Sequence, residues 1–260
     1  MPGVGRLPGH AEPPDTLGGC HIENCCRHMD NRLFTHVSEI QYPPKEKTPK
    51  GRLNREIDPI LYAAFTRAAA LTESKVTPGQ IVAMAIIKDL DDHQNRVQFF
   101  PIGIPSGRYA TPVRNTAERN VPDYLNREII KVVNKGNEHE YNPTIAIADN
   151  FLRNPVLRPR EGVSLDAGLI YPSARSGQPL NESTYNIAVI PEVFHAHYQI
   201  AEVEAWYLTT LDAGSLVNCY NINSATLNPD GSLQWRHSTY EEMAEHCFAR
   251  SGHYPIRCSL

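Results

Sequence analysis

Three polar residues, Arg52, Tyr62 and Glu73, follow one another at spacings of about ten positions. A planar guanidinium can grip phosphate oxygens in a bidentate way, and a tyrosine ring can stack on an aromatic ligand. Glu73 follows the small apolar run AAAL (68–71), so its carboxylate lies either at the surface or in a pocket. Each residue alone also suits a structural role. Taken as one site, they would bind a phosphorylated aromatic molecule.

A fourth polar residue, Ser173, ends the apolar stretch GLIYPS (168–173), which predicts a strand that stops at Pro172. Strand ends commonly display functional side chains on a rigid scaffold. Ser173 has neither a G-x-S-x-G elbow nor a histidine at a recognisable spacing. The sequence therefore does not indicate an acyl-transfer nucleophile.

The charge distribution favours a small anionic ligand over a polyanion. The chain carries a formal charge of −4, whereas residues 45–55 contain five cations and one anion, which sum to +4. The rest of the chain must therefore carry −8, since −4 minus +4 is −8. A local cationic patch on an acidic protein suits a phosphorylated small molecule, and we expect no binding of nucleic acid.

The longest strongly apolar run, IVAMAII (81–87), is too short to span a bilayer, and the N-terminus lacks the apolar core of a signal peptide. The six cysteines stand at irregular spacings, which favours free thiols in a reducing compartment. We therefore expect a cytoplasmic protein that does not associate with membranes.

The N-terminal residues 1–31 are rich in proline, glycine and polar residues, which predicts a disordered or loose arm. The more ordinary segment that begins at Met29 suggests that residues 1–28 are dispensable.

The remaining chain mixes helical and strand patterns, which predicts a single α+β domain. Thr66 is expected to cap a helix that runs to about residue 75, and Asn142 to cap another over residues 142–154. A further helix is predicted over residues 123–135. Strands are predicted at 60–65, 81–90, 168–173, 181–192 and 198–208. The turn NPDGS (228–232) predicts a hairpin, and Ser238 with Glu241 predicts a capping box for the last helix.

The order and spacing of these motifs resemble the RES domain family, which is named for an arginine, a glutamate and a serine. The resemblance lies in GRLN (51–54), Tyr62 in LYAAF, the alanine-rich turn that ends in Glu73, PTIAIADNFLR followed by GLIYPSAR, and the strand NIAVIPE. It covers residues 32–211. Residues 212–260 would then be a hairpin and helix that extend the same domain.

The resemblance implies a fold like that of ADP-ribosyltransferases, with a central twisted, split β-sheet and flanking helices. It implies an enzyme that consumes NAD⁺ as a substrate, by hydrolysis or with inorganic phosphate, and that holds no prosthetic group. Characterised family members are bacterial toxins neutralised by a helix-turn-helix antitoxin. A homodimer is left open.

The resemblance also implies residue roles. Cleavage of the nicotinamide–ribose bond passes through an oxocarbenium-like transition state and needs no metal. We expect Arg52 to hold the phosphates, Tyr62 to stack on the ligand and Glu73 to bind the ribose and stabilise the developing cation. Ser173 would bond Glu73 or the ribose, and Asn54 and Asn186 are further NAD⁺-binding candidates.

Three alternatives stay open at this point. A protein-modifying ADP-ribosyltransferase would use Arg52 with the segments STY (183–185) and EVE (202–204), and a nucleotide-binding module would have the same residues without turnover. A metalloenzyme would use His195 and His197, because an H-x-H pair on a strand can place two imidazoles together. Further possible metal ligands are Cys20, His21, Cys25, Cys26 and His28 near one end and His246, Cys247, His253 and Cys258 near the other; no metal site is predicted from them.

Overall fold

Strands and helices are interspersed along the chain in the computed structural model, which describes residues 23–29, 31–74, 76–90, 97–104, 110, 116–153, 156–158, 163–174, 185–209, 219–253 and 255. The strands are Glu23–His28 (β1), Leu61–Ala64 (β2), Ile81–Asp89 (β3), Val97–Pro101 (β4), Val156–Arg158 (β5), Val163–Pro172 (β6), Tyr185–Val189 (β7), Tyr198–Leu208 (β8), Cys219–Leu227 (β9) and Leu233–Trp235 (β10). The α-helices are Arg67–Glu73 (α1), Thr116–Ile130 (α2), Asn142–Leu152 (α3), Pro191–His197 (α4) and Tyr240–Ser251 (α5). Three 3₁₀ helices lie at Val37–Glu39, Lys45–Lys47 and Glu138–Tyr141. None of these described helices is both long and apolar enough to cross a bilayer.

The strands form a sheet that is nearly divided in two. Its hydrogen-bonded order is β10-β9-β8-β3-β1-β2-β7-β6-β4, with β5 paired to β6 outside this row. All neighbours are antiparallel except β4 and β6. Among the described residues, β1 and β2 share the single registered pair Glu23↔Ala64, which divides the sheet into a five-stranded half and a four-stranded half. The predicted α+β class is confirmed, and the likeness to ADP-ribosyltransferases stays a prediction.

The two faces of β3 are both buried, because seven consecutive apolar residues leave no polar side chain to face water. On one face Ala83 and Ile87 belong to the largest core cluster, which α5 covers with Met243. On the other face Met84 packs with Leu71 of α1. The five-stranded half is therefore a layer between helices.

The four-stranded half has its own core under α2 and α3. Ile129 of α2 and Leu152 of α3 are buried against Leu169 of β6 and Ala188 of β7. The loop that precedes β2 adds Leu53 to the same cluster, and Leu53 is fully buried. This contact fixes the loop that carries Arg52 against the sheet.

Helix α1 lies where the two halves separate. The Thr66 side chain accepts a hydrogen bond from the Ala69 amide, which confirms the predicted N-cap. Ala69 and Ala70 pack on Ala64 of β2, so small side chains let the helix approach the sheet closely. Glu73 is the last residue of the helix, and its side chain is thereby presented at the division of the sheet.

The prediction of a loose arm over residues 1–31 is wrong for residues 23–29. Strand β1 lies between β3 and β2, with five registered partners on β3. The Met29 amide continues this pairing by donating to the Ile81 carbonyl at 3.0 Å, and Met29 is 4% exposed. Residues 1–22 lie outside the described part of the chain.

Two predicted helix starts are displaced by one residue. Asn142 is the first residue of α3 rather than its cap, with Tyr141 at the cap position and proline in the first turn. The capping box of α5 joins Thr239 and Glu242 rather than Ser238 and Glu241. Thr239 has the extended backbone that an N-cap requires. Ser238, the first residue of the predicted pair, lies one position before this cap.

Helix α2 begins earlier and ends earlier than the predicted span of 123–135. It ends at Ile130, where the side chain of Arg52 donates to the carbonyls of Ile129 and Lys131. A cationic donor at the last turn satisfies carbonyls that have no partner within the helix, so it favours termination there.

The C-terminal hairpin lies where it is predicted. β9 pairs with β8 and β10 pairs with β9, and residues 228–230 form the tip with Gly231 at φ +82°. The Trp235 indole donates to the Phe34 carbonyl at 2.7 Å, which ties the hairpin to the segment after β1. The hairpin and α5 thus extend the five-stranded half.

Removing β1 tests the correction to the N-terminal arm. A chain that begins at Met29 is expected to lose cooperative thermal unfolding, because β3 loses a neighbour and the five-stranded half loses the strand that adjoins the other half. A control chain that begins at Ile22 keeps β1 and should unfold like the full chain in circular dichroism. An unchanged cooperative transition in the shorter chain would contradict the central role of β1.

Candidate active site

A cleft of about 550 Å³ lies at the division of the sheet. Its wall is built from β1, β2, α1, β6 and β7 together with the loops at residues 41–43 and 52. Of the six predicted site residues, four line it directly: Arg52, Tyr62, Glu73 and Asn186. Ser173 contacts the cleft through Glu73, and Asn54 through Tyr62.

Glu73 is held by two buried donors. Ser173 Oγ donates to Glu73 Oε1, and Asn186 Nδ2 donates to the same oxygen at 2.9 Å. Ser173 is 5% exposed and Asn186 is 4% exposed, so both donors are fixed in the four-stranded half. Both bonds use Oε1, and within the described part of the chain no hydrogen bond engages Oε2, whose lone pairs can accept from a ligand.

The side-chain carbonyl of Asn186 adds an unusual feature. Its Oδ1 is buried, and no described residue donates to it. The orientation of the amide is set by Glu73, since a carboxylate accepts from Nδ2 and would repel Oδ1. An unsatisfied buried acceptor is unfavourable, and a donor group of a ligand in the cleft would satisfy it.

Tyr62 and Asn54 form a bonded unit inside the loop that carries Arg52. Tyr62 Oη donates to Asn54 Oδ1 at 2.8 Å and accepts from the Leu53 amide at 3.0 Å. Asn54 Nδ2 donates to the carbonyls of Pro49 and Arg55, both at 2.8 Å. The Asn54 side chain therefore uses its amide for bonds to the loop and to Tyr62. It positions Tyr62 and Arg52 rather than facing a ligand.

Burial raises the pKa of Tyr62 well above its usual value, with the Leu53 amide and Arg52 acting in the opposite direction. Tyr171, which also lines the cleft and is 4% exposed, has its pKa raised by burial and by Tyr62 and Glu73. Both phenols therefore stay protonated at neutral pH. They offer the cleft aromatic surface rather than a second anion.

Arg52 contacts the end of α2 and also lines the cleft. Its Nη1 donates to the carbonyls of Ile129 and Lys131, and its guanidinium lies 5.7 Å from the centroid of the Tyr141 ring. Within the described residues, the side-chain bonds of Arg52 all run through Nη1. Arg52 also lines the cleft, and within the described residues no side-chain bond involves its Nε or Nη2.

Two cleft residues lie on β1, a strand that the sequence does not predict. Arg27 lines the cleft and donates to the carbonyls of Ile40 and Gln41, each at 3.3 Å. His28 lines it too, and its Nε2 lies 3.0 Å from the Ser74 carbonyl. A usable signal was present, since no proline or glycine interrupts residues 20–42. The absence of proline and glycine distinguishes the segment that contains β1 from the residues before it.

Glu204 of the transferase-like EVE segment lies outside the cleft. Arg67 at the start of α1 donates to both of its carboxylate oxygens, at 3.1 and 3.3 Å, and the Trp206 indole donates at 2.9 Å. Glu204 is 9% exposed, whereas Glu202 is exposed. Ser183 and Thr184 of the STY segment lie outside the described residues.

The histidine pair lies on α4 and not on a strand. His195 bonds the Tyr42 hydroxyl, and His197 bonds Asp166 at 2.5 Å, so the two rings serve different contacts. Across the described ranges, no group of three His, Cys, Asp or Glu residues could hold a metal ion. Cys20, His21 and Cys258 lie outside those ranges.

A second, open depression of about 750 Å³ lies beside α3. Its two arginines are already paired, Arg55 with Asp149 and Arg153 with Asp58 and Asp149. Because these cations are neutralised by neighbouring carboxylates, the depression is a weaker anion site than the cleft.

The fold and the cleft define an α+β protein with a half-buried carboxylate and two arginines at a split in its sheet. A family-level comparison matches residues 26–210 to the RES domain, and the chain therefore belongs to the RES domain family. This is a family of NAD⁺-related enzymatic domains. No curated protein and no solved structure matches the chain. The match begins within β1, earlier than the predicted boundary at residue 32, and it includes Arg27.

Gly51 offers a test of the bonded loop. A Cβ at this position would lie 2.3 Å from Asn54 Oδ1 and 3.4 Å from the Tyr62 hydroxyl. Gly51→Ala should therefore break the Asn54–Tyr62 bond and lower the free energy of unfolding by about 1–3 kcal/mol. Chemical denaturation measures this change.

The same substitution in an Asn54→Ala background provides the control. The clashing oxygen is then absent, so the added methyl group should cost much less. An equal loss in both backgrounds would show that Gly51 is required for another reason.

Proposed function

We propose that this protein cleaves the nicotinamide–ribose bond of NAD⁺, as a glycohydrolase or a phosphorylase. The observation that carries the proposal is the Glu73 carboxylate, which two buried donors hold at the edge of a cleft that also presents Arg27 and Arg52. Membership of the RES domain family supports NAD⁺ as the substrate.

The chemistry fits a fixed carboxylate beside the ribose. As the bond between C1′ and the pyridinium nitrogen breaks, its electron pair returns to nicotinamide, which leaves as a neutral molecule. Positive charge then develops on C1′ and the ring oxygen, and a nearby carboxylate stabilises it. Water or phosphate adds to C1′ and loses a proton, which gives ADP-ribose or its 1-phosphate.

Glu73 is suited to this role because its geometry is set before the ligand arrives. Ser173 and Asn186 fix Oε1, and Oε2 is left to accept from a ribose hydroxyl. A preorganised charge needs no rearrangement as the cation develops, and such preorganisation is a large part of electrostatic catalysis.

The cations and aromatic rings of the cleft suit the remaining parts of NAD⁺. Arg27 and Arg52 would bind the diphosphate, since guanidinium groups match phosphate oxygens. Tyr62 and Tyr171 form the apolar wall against which nicotinamide would pack. NAD⁺ is then a substrate, and the protein requires no prosthetic group.

The cellular role that we propose is that of a toxin in a bacterial toxin–antitoxin pair. Depletion of NAD⁺ would arrest growth, so an unblocked cleft would demand a neutralising partner, for which a helix-turn-helix antitoxin is the candidate. Such a toxin would act in the cytoplasm.

A time course of NAD⁺ with purified protein tests the activity. Wild type should release nicotinamide, and Glu73→Gln should reduce the rate by roughly a hundredfold or more, because the substitution removes the charge and leaves the shape. Chromatography of nicotinamide and of the ribose product measures both. Comparison with and without phosphate identifies the acceptor.

Glu202→Gln is the matched control, since the same chemical change is made at an exposed position outside the cleft. It should leave nicotinamide release unchanged. Wild-type rates in Glu73→Gln would exclude the proposed role of this carboxylate.

A further inference from the structure

Tyr42 is a cleft residue that the proposed chemistry leaves unused. It lies between the first two 3₁₀ helices, and its ring is half-buried in the cleft wall beside Gln41 and Pro43. None of the bonds that position Glu73 or Tyr62 involves it. Its place in the wall therefore calls for a separate explanation.

The ring of Tyr42 is held in one orientation by α4. Phe194 packs edge-to-face with it at a centroid distance of 6.5 Å and an interplanar angle of 84°. His195 packs similarly at 5.8 Å and 78°, and its Nε2 bonds the Tyr42 hydroxyl. Both supports come from the same short helix, so the ring is braced from one side while it borders the cleft on another.

The backbone beside Tyr42 is fixed as well. Arg27 of β1 donates to the carbonyls of Ile40 and Gln41, each at 3.3 Å. A ring that is immobilised before binding loses little conformational entropy when a ligand stacks on it. Tyr42 is therefore better prepared for stacking than an exposed tyrosine on a free loop.

The order of groups along the cleft matches the order of groups in a dinucleotide. Arg27 bonds the backbone next to Tyr42, and the adjacent His28 bonds the carbonyl of Ser74, which follows Glu73. The order along these contacts is thus the Tyr42 ring, the Arg27 cation and the Glu73 carboxylate. NAD⁺ has a purine base, a diphosphate and the nicotinamide ribose in the same order. With the nicotinamide ribose at Glu73, the purine falls at the Tyr42 end.

We propose that Tyr42 is the stacking platform for the adenine base of NAD⁺ and that His195 orients its ring. This inference rests on the proposed function, because it places the dinucleotide by its reacting ribose. Stacking on a base is worth roughly a tenfold or larger change in affinity when the aromatic side chain is removed. Tyr42 would therefore set KM for dinucleotides without taking part in bond cleavage.

Substrate truncation tests the inference. Nicotinamide mononucleotide has the same reacting bond as NAD⁺ but no adenosine. Tyr42→Leu should raise KM for NAD⁺ roughly tenfold, leave its kcat nearly unchanged and leave KM for the mononucleotide unchanged. Tyr42→Phe keeps the ring and loses the bond to His195, so its effect on NAD⁺ should be smaller. Tyr124→Leu, at an exposed position on α2, is the control.

An equal rise in KM for both substrates in Tyr42→Leu would overturn the inference, because the effect would then concern the reacting end. An unchanged KM for NAD⁺ would overturn it as well. In either case, wild-type nicotinamide release would leave the proposed function standing.

Calorimetric binding of AMP to wild type and to both Tyr42 variants gives a readout that needs no turnover. Weaker AMP binding in Tyr42→Leu, and near wild-type binding in Tyr42→Phe, would support the adenine platform even if NAD⁺ is not cleaved. Absence of AMP binding, or equal binding by all variants, would overturn it. Matching thermal unfolding of the variants shows that each is folded.

Discussion

The hydrogen bonds from Ser173 and Asn186 to Glu73 are the constraint on which the rest of the site depends. They join the last residue of α1 to strands of the four-stranded half, while Arg67 at the first residue of α1 pairs with Glu204 of the five-stranded half. A seven-residue helix is thus fixed at both ends across the division of the sheet. A carboxylate at the C-terminal end of a helix is disfavoured by the helix dipole, and two donors offset this effect.

In the loop before β2 and at the start of that strand, side chains that line the cleft also make bonds that hold the fold. Arg52 satisfies the carbonyls at the end of α2, and it also lines the cleft. Asn54 and Tyr62 bond each other and leave no space for a side chain at Gly51. The residues that resemble the family motif therefore include two kinds: those that face a ligand and those that hold the loop in shape. Asn54 belongs to the second kind.

Much of this arrangement is predictable from the sequence because it depends on local patterns. The apolar run of β3, the Thr66 cap and the spacing from Arg52 to Glu73 each indicate their element or site directly. The place of Arg27 and His28 in the cleft is not predicted, because the pairing of β1 with β3 is a contact between distant parts of the chain and a short polar strand has no strong periodicity. His195 and His197 fall between the predicted strands 181–192 and 198–208, and the helix α4 that carries them is not predicted because a seven-residue segment shows little periodicity.

The central claim is that the nicotinamide ribose lies at Glu73, and a crystal structure of the Glu73→Gln variant with NAD⁺ tests it most directly. We predict a ribose hydroxyl within hydrogen-bond distance of the substituted side chain, the diphosphate against Arg27 or Arg52 and the nicotinamide against Tyr62 or Tyr171. NAD⁺ bound elsewhere, such as beside Arg55 and Arg153, would contradict the claim. So would NAD⁺ in the cleft with its nicotinamide ribose directed away from position 73.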